Sequence, residues 1–167
     1  VYIAWAFRKV SSPVASWKYG LATVVALAHD IAIPTGFAAA AGYLAGAEVG
    51  TLFVTAVLTI LGFSVHDTIV VFDRIRENLK KGRSHEDFAA IVNQSVNETL
   101  ARSVNTSLTV ALAMAAVLIA GGESTRFFSA VLLVGTVIGT YSSIFIASPL
   151  LVSAHLRASR SREHKSS

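Results

Sequence analysis

A carboxylate at position 67 sits inside the apolar run TLFVTAVLTILGFSVHDTIVVF, with no Asp, Glu, Lys or Arg within five positions on either side. In hydrocarbon such a group is costly unless it is paired, protonated or hydrated. The chemistry that calls for it is reversible protonation, as in the carriage of protons or ions. Two further groups belong to the same question. Asp30 lies in ALAHDIAIPTG, and Arg102 lies in NETLARSVNTSLT. Asp67 and Arg102 form the natural pair. A guanidinium favours the ionised carboxylate and burial favours the neutral one, so small changes in geometry would decide the protonation state.

Spacing supports a common level. Asp30 and Asp67 are each roughly 18 residues from the middle of the short link GAEVG, which is about 27 Å along a helix. Arg102 is about 21 residues from the middle of its own link, GGESTR, within one helical turn of that depth. Glu98, Arg102, Asn105, Thr106 and Thr109 share a helical stripe, which is expected to face a bundle interior or half-channel. Ser64, Asp67 and Thr68 share one side of the preceding helix, leaving Ile69, Val70 and Phe72 for lipid. Thr68, Asn105 and Thr106 are expected to hold water beside Asp67. His66 is a secondary relay candidate, and Asp30 a supporting polar group. Each histidine, adjacent to its aspartate, should point about 100° away from it. No HExxH or comparable ligand spacing occurs, so neither a metal nor another cofactor is expected.

The elements that must position these groups are apolar helices. Charged residues are 14% of the 167, against roughly 25% in soluble domains, and mean hydropathy is +0.60. Apolar segments at 19–46, 51–72, 100–120 and 127–152 are each long enough to span a bilayer. The fold class is therefore an all-α membrane bundle. Residues 1–8 read as the end of a truncated transmembrane helix and 9–18 as a loop. Residues 19–155 form the bundle, and 156–167 a basic tail. The linker 73–97 should carry an amphipathic interfacial helix around a Lys-Gly turn, with Asp73, Arg74, Arg76 and Glu77 as a solvated helix end. Pro34 and Pro149 should kink the first and last spans. Gly42–Gly46 and the stripe Gly135, Gly139, Ser143, Ala147 are spaced for close helix approach.

Of 14 Lys and Arg, twelve fall in the segment before the first span, in the 73–97 linker or in the tail. Those regions share one side, which this bias assigns to the cytoplasm. The basic residues lack aromatic stacking partners, which argues against nucleic acid. There is no cysteine, hence no disulfide framework. On the residues alone three further readings stay open. One is a proton-driven exporter of small molecules or lipids, one an intramembrane aspartyl protease using Asp30 and Asp67, and one a structural subunit locked by its buried charges.

The string LGFSVHDTIVVFDRIREN resembles the aspartate-bearing helix of the SecD/SecF family of protein-export membrane proteins. NETLARSVNTSLT, GTYSSIFIASPLL and ALAHDIAIPTG resemble its other helices, in order, and the DTIVVFDRIRE and YSSIFIASPLL strings favour the SecF branch. The resemblance implies a fold of the resistance-nodulation-division type, with this chain holding the end of its second helix and the third to sixth. It implies a non-enzymatic role, drawing on the proton-motive force to assist preprotein translocation in a bacterial or archaeal cytoplasmic membrane. Implied partners are SecD, the SecYEG channel and YajC-like and YidC-like membrane proteins. Asp67 and Arg102 match the family's proton-pathway residues.

Overall fold

The computed structural model describes the backbone of residues 16–81 and 87–166. The expected helix end at 1–8, most of the 9–18 loop, Gly82 of the Lys-Gly turn and the side chains beyond Arg157 lie outside the described residues. Four long helical stretches are apolar enough to cross a membrane: Trp17–Ala45, Thr51–Lys80, Phe88–Ala120 and Thr125–Arg157. The elements are α1 (Ser16–Ala45), α2 (Thr51–Lys80), α3 (Phe88–Ala120), α4 (Glu123–Ser142), a π turn (Ser143–Ala147) and α5 (Ser148–Ser166). The last three form one continuous rod.

Residues 73–97 contain no separate interfacial helix among the described residues. Residues 73–80 finish α2, and 88–97 begin α3. The buried positions Phe88, Ile91, Val92, Ser95 and Thr99 keep one helical phase into the apolar stretch, so packing makes a single rod of what composition divides. Asp87 starts that rod, its side chain accepting from the Ala89 N–H at 3.4 Å.

The two proline expectations meet different outcomes. Pro34 lies buried inside α1, which is helical on both sides of it. Its missing N–H frees the backbone carbonyl of Asp30, four residues earlier. Pro149 stands one residue past the π turn, after Ser148. It cannot donate to the Phe145 carbonyl and its ring crowds that oxygen, so the chain widens by one residue there. The Ser148 hydroxyl steadies the wide turn by donating to the Ser143 carbonyl at 3.0 Å.

α4 with its π turn is the hub, packing against α1, α2, α3 and α5. Small residues permit this. Gly135 lies against Ile60, and Gly139 faces the Ser64 Cβ, so α4 and α2 approach almost backbone to backbone. The Gly42–Gly46 pair has another job. Gly46, at φ +66°, ends α1 in the left-handed conformation and donates to the Gly42 carbonyl at 3.1 Å.

Two apolar layers result. One, around Tyr19, Phe72, Ile75 and Leu151, lies toward the basic ends; Phe72 is fully buried and meets Tyr19 edge to face at 5.4 Å, so it does not face lipid. The other, around Ala56, Ile60, Val131 and Leu132, lies toward the short links. Between them along the helices is a layer of carboxylates and hydroxyls.

Candidate functional site

That middle layer holds both aspartates, each reached from several helices. Asp67, 7% exposed, accepts from the Ser103 hydroxyl of α3 at 2.6 Å and from the Ser143 hydroxyl of the π turn at 2.5 Å. Asp30, fully buried, accepts from Ser64 of α2 and, at 2.6 Å, from Ser142 of α4. His29 Nδ1 stands 3.0 Å from its other oxygen. The histidine is thus turned toward its neighbour and not away from it. Adjacent serines reach the two carboxylates, so Asp30 and Asp67 lie at one level.

The expected ion pair of Asp67 with Arg102 is not the arrangement. Among the described residues no ion pair joins them, and the hydroxyls of Ser103 and Ser143 take the carboxylate oxygens instead. Arg102 is exposed and lines a small cavity of about 40 Å³ together with Phe63, His66, Asp67, Val70 and Thr106. Such a space is large enough for a water. Val70 and Arg102 also line a neighbouring groove of about 370 Å³ that extends past Thr99 to Asp73, Arg74 and Glu98. Arg102 and Val70 thus line both the small cavity at Asp67 and the groove toward the basic end of the bundle.

The expected inward stripe is corrected too. Glu98, Arg102, Asn105, Thr106 and Thr109 are exposed on the outer side of α3. The face turned inward is Ser95, Thr99, Ser103 and Ser107, all buried. Each step of four residues is small, and Ser95, Thr99 and Ser107 return their protons to carbonyls one turn back. Their spacing was the available signal: a hydroxyl every fourth residue from 95 to 107. Thr68 is buried beside Asp67, whereas His66 is exposed at the cavity. Among the described residues no group of three or more His, Cys, Asp or Glu is placed to hold a metal.

At the basic end Arg74 crosses from α2 to α3. Its Nε donates to Glu98 at 2.5 Å, and its guanidinium also meets Glu77 at 2.5 Å. Asn78 and Gln94 donate to Glu98 as well, at 2.9 and 2.8 Å. The expected helix-end pairs Arg74–Glu77 and Asp73–Arg76 are present, and the bridge to Glu98 adds a tie between helices. The Arg74 and Glu98 side chains are about a third exposed, so water screens the pair and Glu98→Gln should cost little stability. Thermal unfolding in detergent checks this, and a much larger loss would mean that the tie holds the two helices together.

A dyad of the aspartyl protease kind needs two carboxylates sharing a proton. Here each is held by separate hydroxyls, with no hydrogen bond between them among the described residues. The fold and site together define a multi-pass helical membrane protein with a buried carboxylate–hydroxyl layer.

Comparison with known proteins gives the family. Residues 1–157 match the family described as protein export membrane protein SecD/SecF, C-terminal. The protein translocase subunit SecF of Thermobaculum terrenum is 54% identical over 152 residues, covering 91% of this chain and 47% of that one. The SecDF subunit of Thermus thermophilus is 43% identical over 91% of this chain and 19% of its own. A crystal structure of SecDF in a super-membrane-facing form superposes with a TM-score of 0.85 at 41% identity, covering 98% of this chain and 21% of that one. The chain belongs to the SecD/SecF protein-export family. It spans about half the length of the SecF relative.

Proposed function

We propose that this chain is the transmembrane part of a SecF-like subunit that uses the proton-motive force to assist protein translocation, working with SecD and the SecYEG channel. The observation that carries the reading is Asp67: buried, held by two hydroxyls, and lining a water-sized cavity whose Arg102 wall also lines the groove toward one end of the bundle. Hydroxyls stabilise an ionised carboxylate without neutralising it, so a proton can be taken up and released. Arg102, at the junction of cavity and groove, sets the local potential and repels a stray proton until the groove changes shape. Asp30, His66, Thr68, Asn105 and Thr106 support the path by holding polar contacts or water near it.

The bias of basic residues puts the α2–α3 end and the C-terminal tail in the cytoplasm. The exposed side of α3 around Asn105, next to Arg102, is then the surface for a second membrane subunit of the SecD kind, since lipid would leave the Asn105 amide unmet. YajC-like and YidC-like proteins and the emerging preprotein are further partners of the assembled machine.

The test uses the full-length protein with SecD in sealed vesicles, reading export and proton flux. Dissipating the gradient should remove the stimulation of export. Arg102→Ala should cut it about tenfold or more, while Arg102→Lys keeps most of it, because charge at the junction is the requirement. Stimulation that ignores the gradient would sink the proposal.

A further inference from the structure

Ser142 and Ser143 are neighbours in sequence, yet they serve different carboxylates. Ser142 donates to Asp30 on α1, and Ser143 donates to Asp67 on α2. One turn of the hub helix is thus pinned from two sides. Each serine has a single proton and a second acceptor in reach: the Gly139 carbonyl at 3.2 Å for Ser142 and the Thr140 carbonyl at 3.0 Å for Ser143. The π turn begins at this point, and its widened ring gives the helix a place to adjust without breaking packing elsewhere.

We propose that the Ser142–Ser143 turn couples the protonation states of Asp30 and Asp67, making Asp30 a second titrating site that answers the first. The inference rests on Asp67 being a proton carrier. When Asp67 takes a proton from a hydronium in its cavity, the hydronium's O–H bond breaks, a carboxyl O–H bond forms, and a water molecule is left behind. Ser143 then has no anion to serve and turns its proton to the Thr140 carbonyl. The charge-assisted tie to α2 is lost, and the turn closes on α1, tightening the Ser142–Asp30 contact. Release of the proton reverses the sequence. The titratable or charged groups facing the pair are His29 from α1, His66 from α2 and Arg102 from α3. α4 and the π turn present hydroxyls, and His155 of α5 stands away against the Phe88 ring at 4.5 Å.

Carbodiimide labelling, which consumes the protonated carboxyl, reads both aspartates by mass spectrometry in the full-length protein with its partner. At one fixed pH, Ser143→Ala should raise labelling of Asp67 about tenfold, the worth of one lost hydrogen bond to a charged group. It should also lower labelling of Asp30 by about fivefold, at the modest end of coupling between sites. Ser142→Ala should produce the mirror result. Ser103→Ala removes the other donor from Asp67, so it should also raise Asp67 labelling and lower Asp30 through the shared turn; added to Ser143→Ala it should still raise Asp67 yet leave Asp30 where Ser143→Ala alone put it. The coupling is overturned if Ser143→Ala leaves Asp30 unchanged, or if Ser103→Ala still moves Asp30 in the Ser143→Ala background. Proton flux undiminished by loss of the Asp67 carboxylate would instead overturn the carrier reading, a result the Asp30 labelling does not decide.

Discussion

Asp67→Asn in the full-length protein should bring gradient-driven proton flux and its share of export to background, a loss of about 100-fold or more. The same substitution should leave the fold nearly intact. Asparagine has the same shape, its amide oxygen accepts from Ser103 or Ser143, and its amide protons meet a serine oxygen once that serine has turned to its helix carbonyl. Net cost should stay within about 1–2 kcal/mol, since a neutral hydrogen bond replaces a charge-assisted one. The divergence between lost transport and kept stability is the informative outcome. A charge that only locks the bundle would show the opposite, with a large fall in unfolding temperature and flux intact. Flux measured in vesicles, beside thermal unfolding of the same preparation, separates the two.

The largest structural effect should come from Gly135→Leu. A Cβ at that position already stands 2.2 Å from the Ile60 side chain. Ile60 is nearly fully buried with Ala56, Val131 and Leu132 and has no void to retreat into. The added side chain must wedge α4 from α2, at about 3 kcal/mol or more of overpacking. One turn away, Gly139 faces Ser64, so the same wedge would draw the Ser64 hydroxyl off Asp30. Gly135→Ala with Ile60→Ala should recover much of the stability, because the second change clears the first one's space. Failure of that pair to compensate would mean that the strain lies elsewhere along the two helices.

Much of this was legible in the sequence, and the misreadings share a cause. Apolar length gave four spans, and symmetry about the GAEVG link put Asp30 and Asp67 at one level, where adjacent serines now reach both. Polarity was then taken as a guide to the interior of α3. The opposite holds: Arg102, Asn105 and Thr109 lie outside, while Ser95, Thr99, Ser103 and Ser107 form the face that packs. Where helices cross closely a short hydroxyl fits and a guanidinium does not. The Asp67–Arg102 pair failed for the same reason, since hydroxyls on four elements needed no long side chain to reach the carboxylates. Pro149 announced an irregularity, but only packing could make it a π turn with two serines at its start. Gly46 looked like half of a packing motif and is a helix stop, a distinction that depends on its backbone angle.

The outward stripe of α3 also bears on how cells would handle the chain. A charge at the depth of Arg102 costs about 2.5–3.5 kcal/mol on insertion scales, and the exposed Asn105 amide beside it adds to that. A lone copy carries that penalty for as long as it stays unassembled. Surplus molecules are then marked as orphans by their own surface, open to membrane proteases, and steady-state abundance follows the supply of whichever neighbour covers the stripe.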